Sequence, residues 1–503
     1  MLGTKIILQF LLDNSINLIS FVATIILARA FGPEILGLIG FILAVIGMIA
    51  FMGDLGFTQA HIKKVSEGYN LGFANGSFFL IKLILGLIIL IFSLSYLLWG
   101  KYFGVVGISA ENRIIFVILL FGFLFFYFGQ AILYTFQARQ EVVKYNLALL
   151  FGRLTKTIII ILSALLALGI LAVASAYFFE GLIVLVIAAF LLRKYSIKLP
   201  RIRDLRVYFN YALPLMILVP IAQFSSSIDR LILKNFWGVG EVGFFFAIQS
   251  LIALPQSFST AAMNLFFPQA SALLKRGKHI ELQKYTDLVV KYLGLITIPL
   301  IVLIIMFAKP LVILVLGVAF EKASTVLQVF ALATLVLTIS RPYSYVLLSS
   351  KKHKFFSFIN VFALILIIIF DFIFIPRSIF GLQLFGFGAT GAALASLLGW
   401  GIGLVLFSYV SYRFTKIKFY FSLFKQLVAG GLMFGFLKLM TIWFHLLEPL
   451  FIIGVAIFSL VLFMVILYFL REITVGDFHY LRTIIKPKSF FSTVGQEWEE
   501  KVV

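Results

Sequence analysis

A chain of 503 residues that is 62% hydrophobic and only 12% charged carries more apolar surface than a soluble fold of its size can hide. Its net charge is +21. In so oily a chain that surplus belongs to loops on the cytoplasmic side of a membrane rather than to a nucleic-acid surface, and no nucleic acid is expected as a partner. The absence of cysteine excludes disulfides, thiol catalysis and Cys-ligated metals.

The apolar residues fall in runs of about 20, the length of a helix that crosses roughly 30 Å of hydrocarbon. They do not alternate as the strands of a membrane barrel do. The start, "MLGTKIILQFLLDNSINL", has no small-residue cleavage site and reads as a first span rather than a removable signal. Gly, Pro and charge clusters divide the chain into fourteen expected spans, at 7–29, 36–60, 73–98, 113–136, 145–167, 169–192, 208–234, 243–268, 286–308, 322–349, 355–376, 386–412, 420–440 and 447–470. The stretch "KPLVILVLGVAF" (309–320) is too short to span and is expected at the surface or as a re-entrant piece. Residues 471–503 read as a polar cytoplasmic tail.

Charge tests that division. With a cytoplasmic N-terminus, the inner segments hold 28 Lys and Arg and the outer loops hold 7. Such an asymmetry is expected of a multi-pass protein of the cell membrane with both termini in the cytoplasm. A repeat is also visible. "ILARAFGPEILGLIGFILAVIGMIAF" begins at Ile26 and "LILKNFWGVGEVGFFFAIQSLIALPQ" at Leu231. Each has a basic residue (Arg29, Lys234), a Phe two positions on, a Gly–Glu loop and a Gly that opens the next helix (Gly37, Gly243). The offset of about 205 residues equals six spans. Six is even, so the halves share orientation and relate by an axis along the membrane normal. The expected fold is therefore an all-α polytopic membrane protein. A first lobe (1–200) and a second (201–414), six helices each, surround a central cavity. Two further helices (415–470) and the tail (471–503) follow.

"GFGATG" (386–391) matches a dinucleotide fingerprint, but it lacks the strand before it and the acid after it. Small residues in a membrane helix instead permit close helix packing. Walker A, H-E-x-x-H and nucleophile-elbow motifs are absent from the sequence. Neither an enzyme nor a metal site is expected, and a monomer is.

Ionisable groups at membrane depth are costly and face a cavity or a partner. Three spans place polar groups at helical spacing. The first carries Asp13, Asn17, Ser20 and Thr24; the fifth carries Asn146, Arg153 and Thr157, with Lys156 beside them; the seventh carries Gln223, Ser227, Arg230 and Lys234. All three stripes are expected to line one water-filled cavity. Asp229, next to Arg230, is the expected structural ion-pair partner. Lys234 is equally a snorkelling end-of-helix lysine, Arg29 an interfacial anchor, and Asp54 a local cap or pair. Arg153 and Lys156 share a face with no acid nearby in sequence. Since Arg153, Lys156, Arg230 and Lys234 outnumber Asp13 and Asp229, an anionic substrate is expected. Phosphate fits best, because the Arg fork matches its oxygens.

The segments "LARAFGPEILG" with "DLGF", "DRLILKNFWGVGEVGFFFAIQ", "FPQASALL" and "FDFIFIPRSIFGLQLFGFGATGAALAS" resemble the polysaccharide and O-antigen flippases (Wzx-type) of the multidrug/oligosaccharidyl-lipid/polysaccharide superfamily, over nearly all of residues 1–414. That resemblance implies two six-helix lobes. It also implies inner-to-outer transfer of a polyprenyl-(pyro)phosphate-linked oligosaccharide by alternating access, for cell-surface polysaccharide assembly. The pyrophosphate would contact Arg153, Lys156 and Arg230, while the lipid tail stays in the bilayer. No cofactor is implied beyond a coupling ion, Na+ or H+, for which Asp13 is the candidate. The alternative is a cation-coupled multidrug exporter of the same fold, whose cavity should be dominated by acids. A membrane glycosyltransferase should carry large acidic outer loops, and here those loops are short.

Overall fold

The computed structural model describes residues 2–99, 108–213, 216, 218–350, 352–444 and 449–473. They form an all-helical membrane protein. Ten helices are long and apolar enough to cross a bilayer among the described residues, or eleven if one bent pair counts as a single span. The tail from residue 474 lies outside the described residues. By packing, the chain divides into two compact units, the first ending at Ser250 and the second beginning at Leu251.

The first unit opens with α1 (Leu2–Ile49), a helical run interrupted at Gly32. Gly32 has φ 73 and ψ −178, a conformation that favours glycine, and Pro33 follows it. The apolar stretch Asn14–Gly53 has 40 residues. As a straight helix it would be about 60 Å long, twice the hydrocarbon thickness, so the break at Gly32 makes two arms of it. A 3-10 turn (Ala50–Gly53) ends the second arm. The short α2 (Phe57–Ser66) follows, so the expected second span, 36–60, stops short of its predicted limit.

Helices α3 (Leu71–Trp99), α4 (Arg113–Ala138), α5 (Val142–Leu165) and α6 (Ile170–Leu192) complete the first set of long helices. The seventh expected span, 208–234, is not one helix. It divides into α7 (Ile202–Ala212) and α8 (Leu218–Trp237), on either side of Pro214, which cannot donate within a helix and disfavours helical geometry at the residue before it. Helix α9 (Val239–Lys275) begins next. Helices α5 and α8 both pack on α1.

Where α1 crosses the start of α9, two glycines let the backbones touch. A Cβ on Gly37 would lie 1.8 Å from the Val239 carbonyl oxygen, and one on Gly243 would lie 2.0 Å from that of Pro33. Each glycine faces the carbonyl of the residue four positions before the other, so the contact is reciprocal. Only backbone without Cβ fits at this distance.

The second unit contains α10 (His279–Met306), α11 (Ala308–Leu316), α12 (Ala323–Ser349), α13 (His353–Phe374), α14 (Gly388–Thr415), α15 (Leu423–Phe444) and α16 (Pro449–Phe469). Its core includes Val290, Ile298, Tyr343, Phe407, Met433 and Phe463. Helix α11 is too short to span, as its sequence predicts. Between α13 and α14 a hairpin pairs Ser378 with Gln383 and Ile379 with Leu382; Phe380 and Gly381 take the positive φ that a two-residue turn requires. The "GFGATG" glycines serve packing: a Cβ on Gly391 would lie 2.6 Å from the Phe374 carbonyl oxygen.

Candidate functional site: a cationic cluster in the first unit

Arg153 and Lys156 stand three residues apart on α5, hence on one face. The acid absent from their neighbourhood in sequence comes from α6. Glu180 takes a hydrogen bond from Arg153 Nη1 on Oε1 and an ion pair from Lys156 Nζ on Oε2, at 3.0 Å. The acid is distant in sequence but near in space, since α5 and α6 pack side by side. Close packing makes the meeting possible. A Cβ on Gly152 would lie 2.5 Å from a Val184 methyl, and one on Gly181 would lie 2.0 Å from the Gly122 carbonyl oxygen. Bulkier residues there would hold α4, α5 and α6 apart.

Glu180 is 4% exposed and Lys156 7%, whereas 30% of the Arg153 side chain remains accessible. Lys156 Nζ sits 4.9 Å from the Tyr177 ring centre and Arg153 Cζ sits 5.9 Å from that of Phe126, both within reach of a cation–π attraction. Arg153, Tyr177 and Glu180 line a cavity of about 190 Å3, walled by Leu43, Phe123 and Phe126. Two cations share one carboxylate, so the cluster keeps a positive surplus, and its more accessible member is the one with a forked donor set. Such a group can exchange one carboxylate oxygen for an oxyanion of a ligand.

The cations of the seventh expected span lie elsewhere in the unit. Arg230 Nη1 donates to the Gly40 carbonyl at 3.4 Å, and its Cζ stands 5.1 Å from the Phe246 ring centre. Lys234 Nζ is 5.2 Å from the Phe41 ring centre. Arg230 therefore faces the second arm of α1 and the start of α9, and Lys234 faces that arm. Ser227 is buried and meets the same arm at Gly47. Asp229 is buried next to Arg230 in the chain.

Other members of the polar stripes are spent locally. Asn146 is fully buried, and its Nδ2 donates to the Val142 carbonyl at 3.0 Å. The Ser20, Thr24 and Thr157 hydroxyls each bond the carbonyl four residues back. Asn17 is exposed. The side chains of Asp13 and Gln223 lie outside the described residues.

Two polar clusters were not singled out from the sequence. Lys82 of α3 is buried, and its Nζ donates to the Gly53 carbonyl at 3.0 Å and to Asp54 Oδ1 at 2.9 Å. Asp54 also receives the Thr58 hydroxyl and amide, and Tyr127 donates to the Gly53 carbonyl at 2.7 Å. The local pairing expected of Asp54 is thus made across α3. His61 of α2 bonds Tyr208 at 2.9 Å and Thr135 at 3.0 Å and stacks on Phe78, tying α7 to α2, α3 and α4. Burial, with the nearby Lys82 charge, pushes its imidazole down to about 3, so it is neutral at physiological pH. The signal for Glu180 and Lys82 was present: each is an ionisable residue inside an apolar run, and such residues have partners.

Comparison with known proteins agrees with this frame. The chain is 24% identical over 438 residues to the Haloferax volcanii "Probable low-salt glycan biosynthesis flippase Agl15", covering 84% of this chain and 87% of that one. Among solved structures it resembles the lipid II flippase MurJ in an inward closed conformation, with a TM-score of 0.71 and 15% identity over 92% of this chain and 99% of that one. It also resembles an inward-facing multidrug resistance MATE transporter of the MOP superfamily, with a TM-score of 0.64 and 15% identity over 80% and 94%. At such identities these two likenesses establish the fold. The profile of the family described as "Polysaccharide biosynthesis protein" matches residues 2–274, more than half of the chain, and the protein belongs to that family.

Proposed function

We propose that this protein is a flippase that moves an anionic, polyprenyl-(pyro)phosphate-linked oligosaccharide from the inner to the outer leaflet by alternating access, for assembly of a cell-surface glycan. The observation that carries this reading is the cluster of Arg153 and Lys156 sharing Glu180 beside a cavity, in a chain of the polysaccharide biosynthesis family. A phosphate reaching the cavity replaces Glu180 at the Arg153 fork, and Lys156 holds the displaced carboxylate. Arg230 and Lys234 form the second cationic station. Adding Glu180 to the acids leaves the set cationic, which disfavours the alternative of a cation-coupled exporter of cationic drugs. Asn17, Asn146, Gln223 and Ser227 are the proposed polar lining, Asp229 the proposed counter-charge of Arg230, and Asp13 the proposed coupling site for Na+ or H+. Transport by such a cycle needs no catalytic chemistry.

The proposed architecture is fourteen spans, two lobes of six with the repeat boundary near residue 200, and both termini cytoplasmic. It is supported by helix at each expected span, by the break at Gly32, by the reciprocal glycine crossing and by the 28 to 7 charge split.

The test is leaflet translocation in proteoliposomes of a fluorescent pyrophosphate-linked oligosaccharide, with a cationic dye as the comparison cargo. Arg153→Ala combined with Lys156→Ala is expected to lower the glycan rate by about 100-fold or more, as loss of charge-assisted bonds to a phosphate implies. Dye transport without glycan transport, or glycan transport unchanged in the double variant, would sink the reading.

A further inference from the structure

A groove of about 540 Å3 lies between α3, α4 and α6, away from the cationic cluster. Its walls are apolar, with Leu80, Leu83, Phe128, Ile132 and Leu185, apart from Lys82, whose ammonium is taken up by Gly53 and Asp54. It is roofed at one end by residues 197–200, which run from α6 toward α7. This strap is fixed to α3. Lys198 N donates to the Gly72 carbonyl at 2.9 Å, Asn75 Nδ2 donates to the Ser196 carbonyl at 3.1 Å, and a Cβ on Gly76 would lie 1.8 Å from the Lys198 carbonyl oxygen.

The strap alternates apolar and basic residues: Ile197, Lys198, Leu199, Pro200, Arg201, Ile202, Arg203. Leu199 is 91% exposed, and Ile197 and Ile202 are also exposed. In a membrane protein such a segment sits at the boundary of hydrocarbon and head groups, its apolar side chains in the former and its cations in the latter. Lys198 and Arg201 both stand over the Phe73 ring, at 5.4 and 4.5 Å from its centre, so two cations converge on Phe73, and Lys198 also lines the groove. The acid nearest to them in sequence, Asp204, is buried and takes hydrogen bonds from Tyr69 and from the Arg201 backbone amide, and one carboxylate among Lys198, Arg201 and Arg203 leaves the segment cationic.

We infer that this groove is a binding site for one anionic glycerophospholipid of the leaflet next to the strap. Its chain lies along α3, α4 and α6, and its phosphate lies between Lys198 and Arg201. The groove fits an apolar chain in size and lining, and the paired cations fit an anionic head group rather than a zwitterionic one. The inference is independent of what the protein transports.

Native mass spectrometry of the purified full-length chain tests it, with phosphatidylglycerol and phosphatidylcholine titrated separately. Phosphatidylglycerol is expected to be retained in preference to phosphatidylcholine. Lys198→Ala with Arg201→Ala, both on exposed residues, should reduce that preference by roughly thirtyfold, the combined effect of two cations at a membrane surface. Leu83→Trp with Ile132→Phe, which fill the groove and leave the cations, should reduce retention of both lipids. Equal retention of the two lipids by the native chain overturns the proposal, as does a preference that survives removal of both cations. Displacement of phosphatidylglycerol from the native chain by polyprenyl phosphate, but not by an equal amount of phosphatidylcholine, would assign the groove to a polyprenyl tail, and overturns it too.

Discussion

Lys82 on α3 and Lys156 on α5 are both almost fully buried lysines on long apolar helices of the first unit. Lys82 meets a carboxylate of its own, Asp54, and a backbone carbonyl, and that carboxylate is further engaged by Thr58. Lys156 meets a carboxylate that Arg153 also claims, beside an open cavity. The first arrangement is closed: charge is matched one to one, and it holds the 3-10 turn at Ala50–Gly53 against α3 and α4. The second is open, with a cation in excess and space for a further anion. Buried charge alone therefore does not mark a site; the count of cations against acids, with room beside them, does.

Glu180→Gln should give the largest effect. It leaves two cations around the cavity without their acid, and breaking a buried pair in this way costs about 3–5 kcal/mol. Thermal unfolding in detergent should show a large drop that added pyrophosphate partly restores. A drop with no anion rescue would place this cluster in the same class as Lys82.

Lys82→Met should be milder, about 1–3 kcal/mol, because Asp54 keeps its bonds from Thr58 and is 30% exposed. Pyrophosphate should leave its unfolding temperature unchanged, and Lys82→Met with Asp54→Asn should recover most of the loss. Rescue by pyrophosphate would dissolve the distinction between the two lysines.

His61 shows a third way to bury a base, by losing its proton. Its pKa lies near 3 when folded and near 6.5 when unfolded, so the unfolded chain binds more protons between those values. Stability is then complete above about pH 6.5 and declines as pH falls toward 3, by about 1.4 kcal/mol per pH unit from this group. His61→Phe should flatten the acid limb of a stability–pH curve while lowering stability at pH 7 slightly. An acid limb as steep in the variant as in the native chain would show that other groups control it.

Much of this was legible in the sequence because a bilayer imposes long apolar runs, and long runs read clearly. The positions of the long helices and the short α11 follow from length alone. The cations Arg153 and Lys156 were visible because helical spacing puts them on one face. Glu180 was missed as their partner because it belongs to the next helix, and pairing across helices depends on how closely glycines let them approach. Pro214 lies in the sequence between α7 and α8, yet the apolar run continues across it, and an apolar run of that length has the hydropathy of one span. In the stripe on the first span, the Ser20 and Thr24 hydroxyls bond carbonyls of their own helix, a contact that spacing alone does not reveal.

The crossing of Gly37 with Val239 and of Gly243 with Pro33 has a consequence for how this chain can diverge. A joint made of backbone offers mutation nothing to alter except by filling it. Apolar positions around it can exchange one aliphatic side chain for another, whereas any side chain at Gly37 or Gly243 would have to displace main chain.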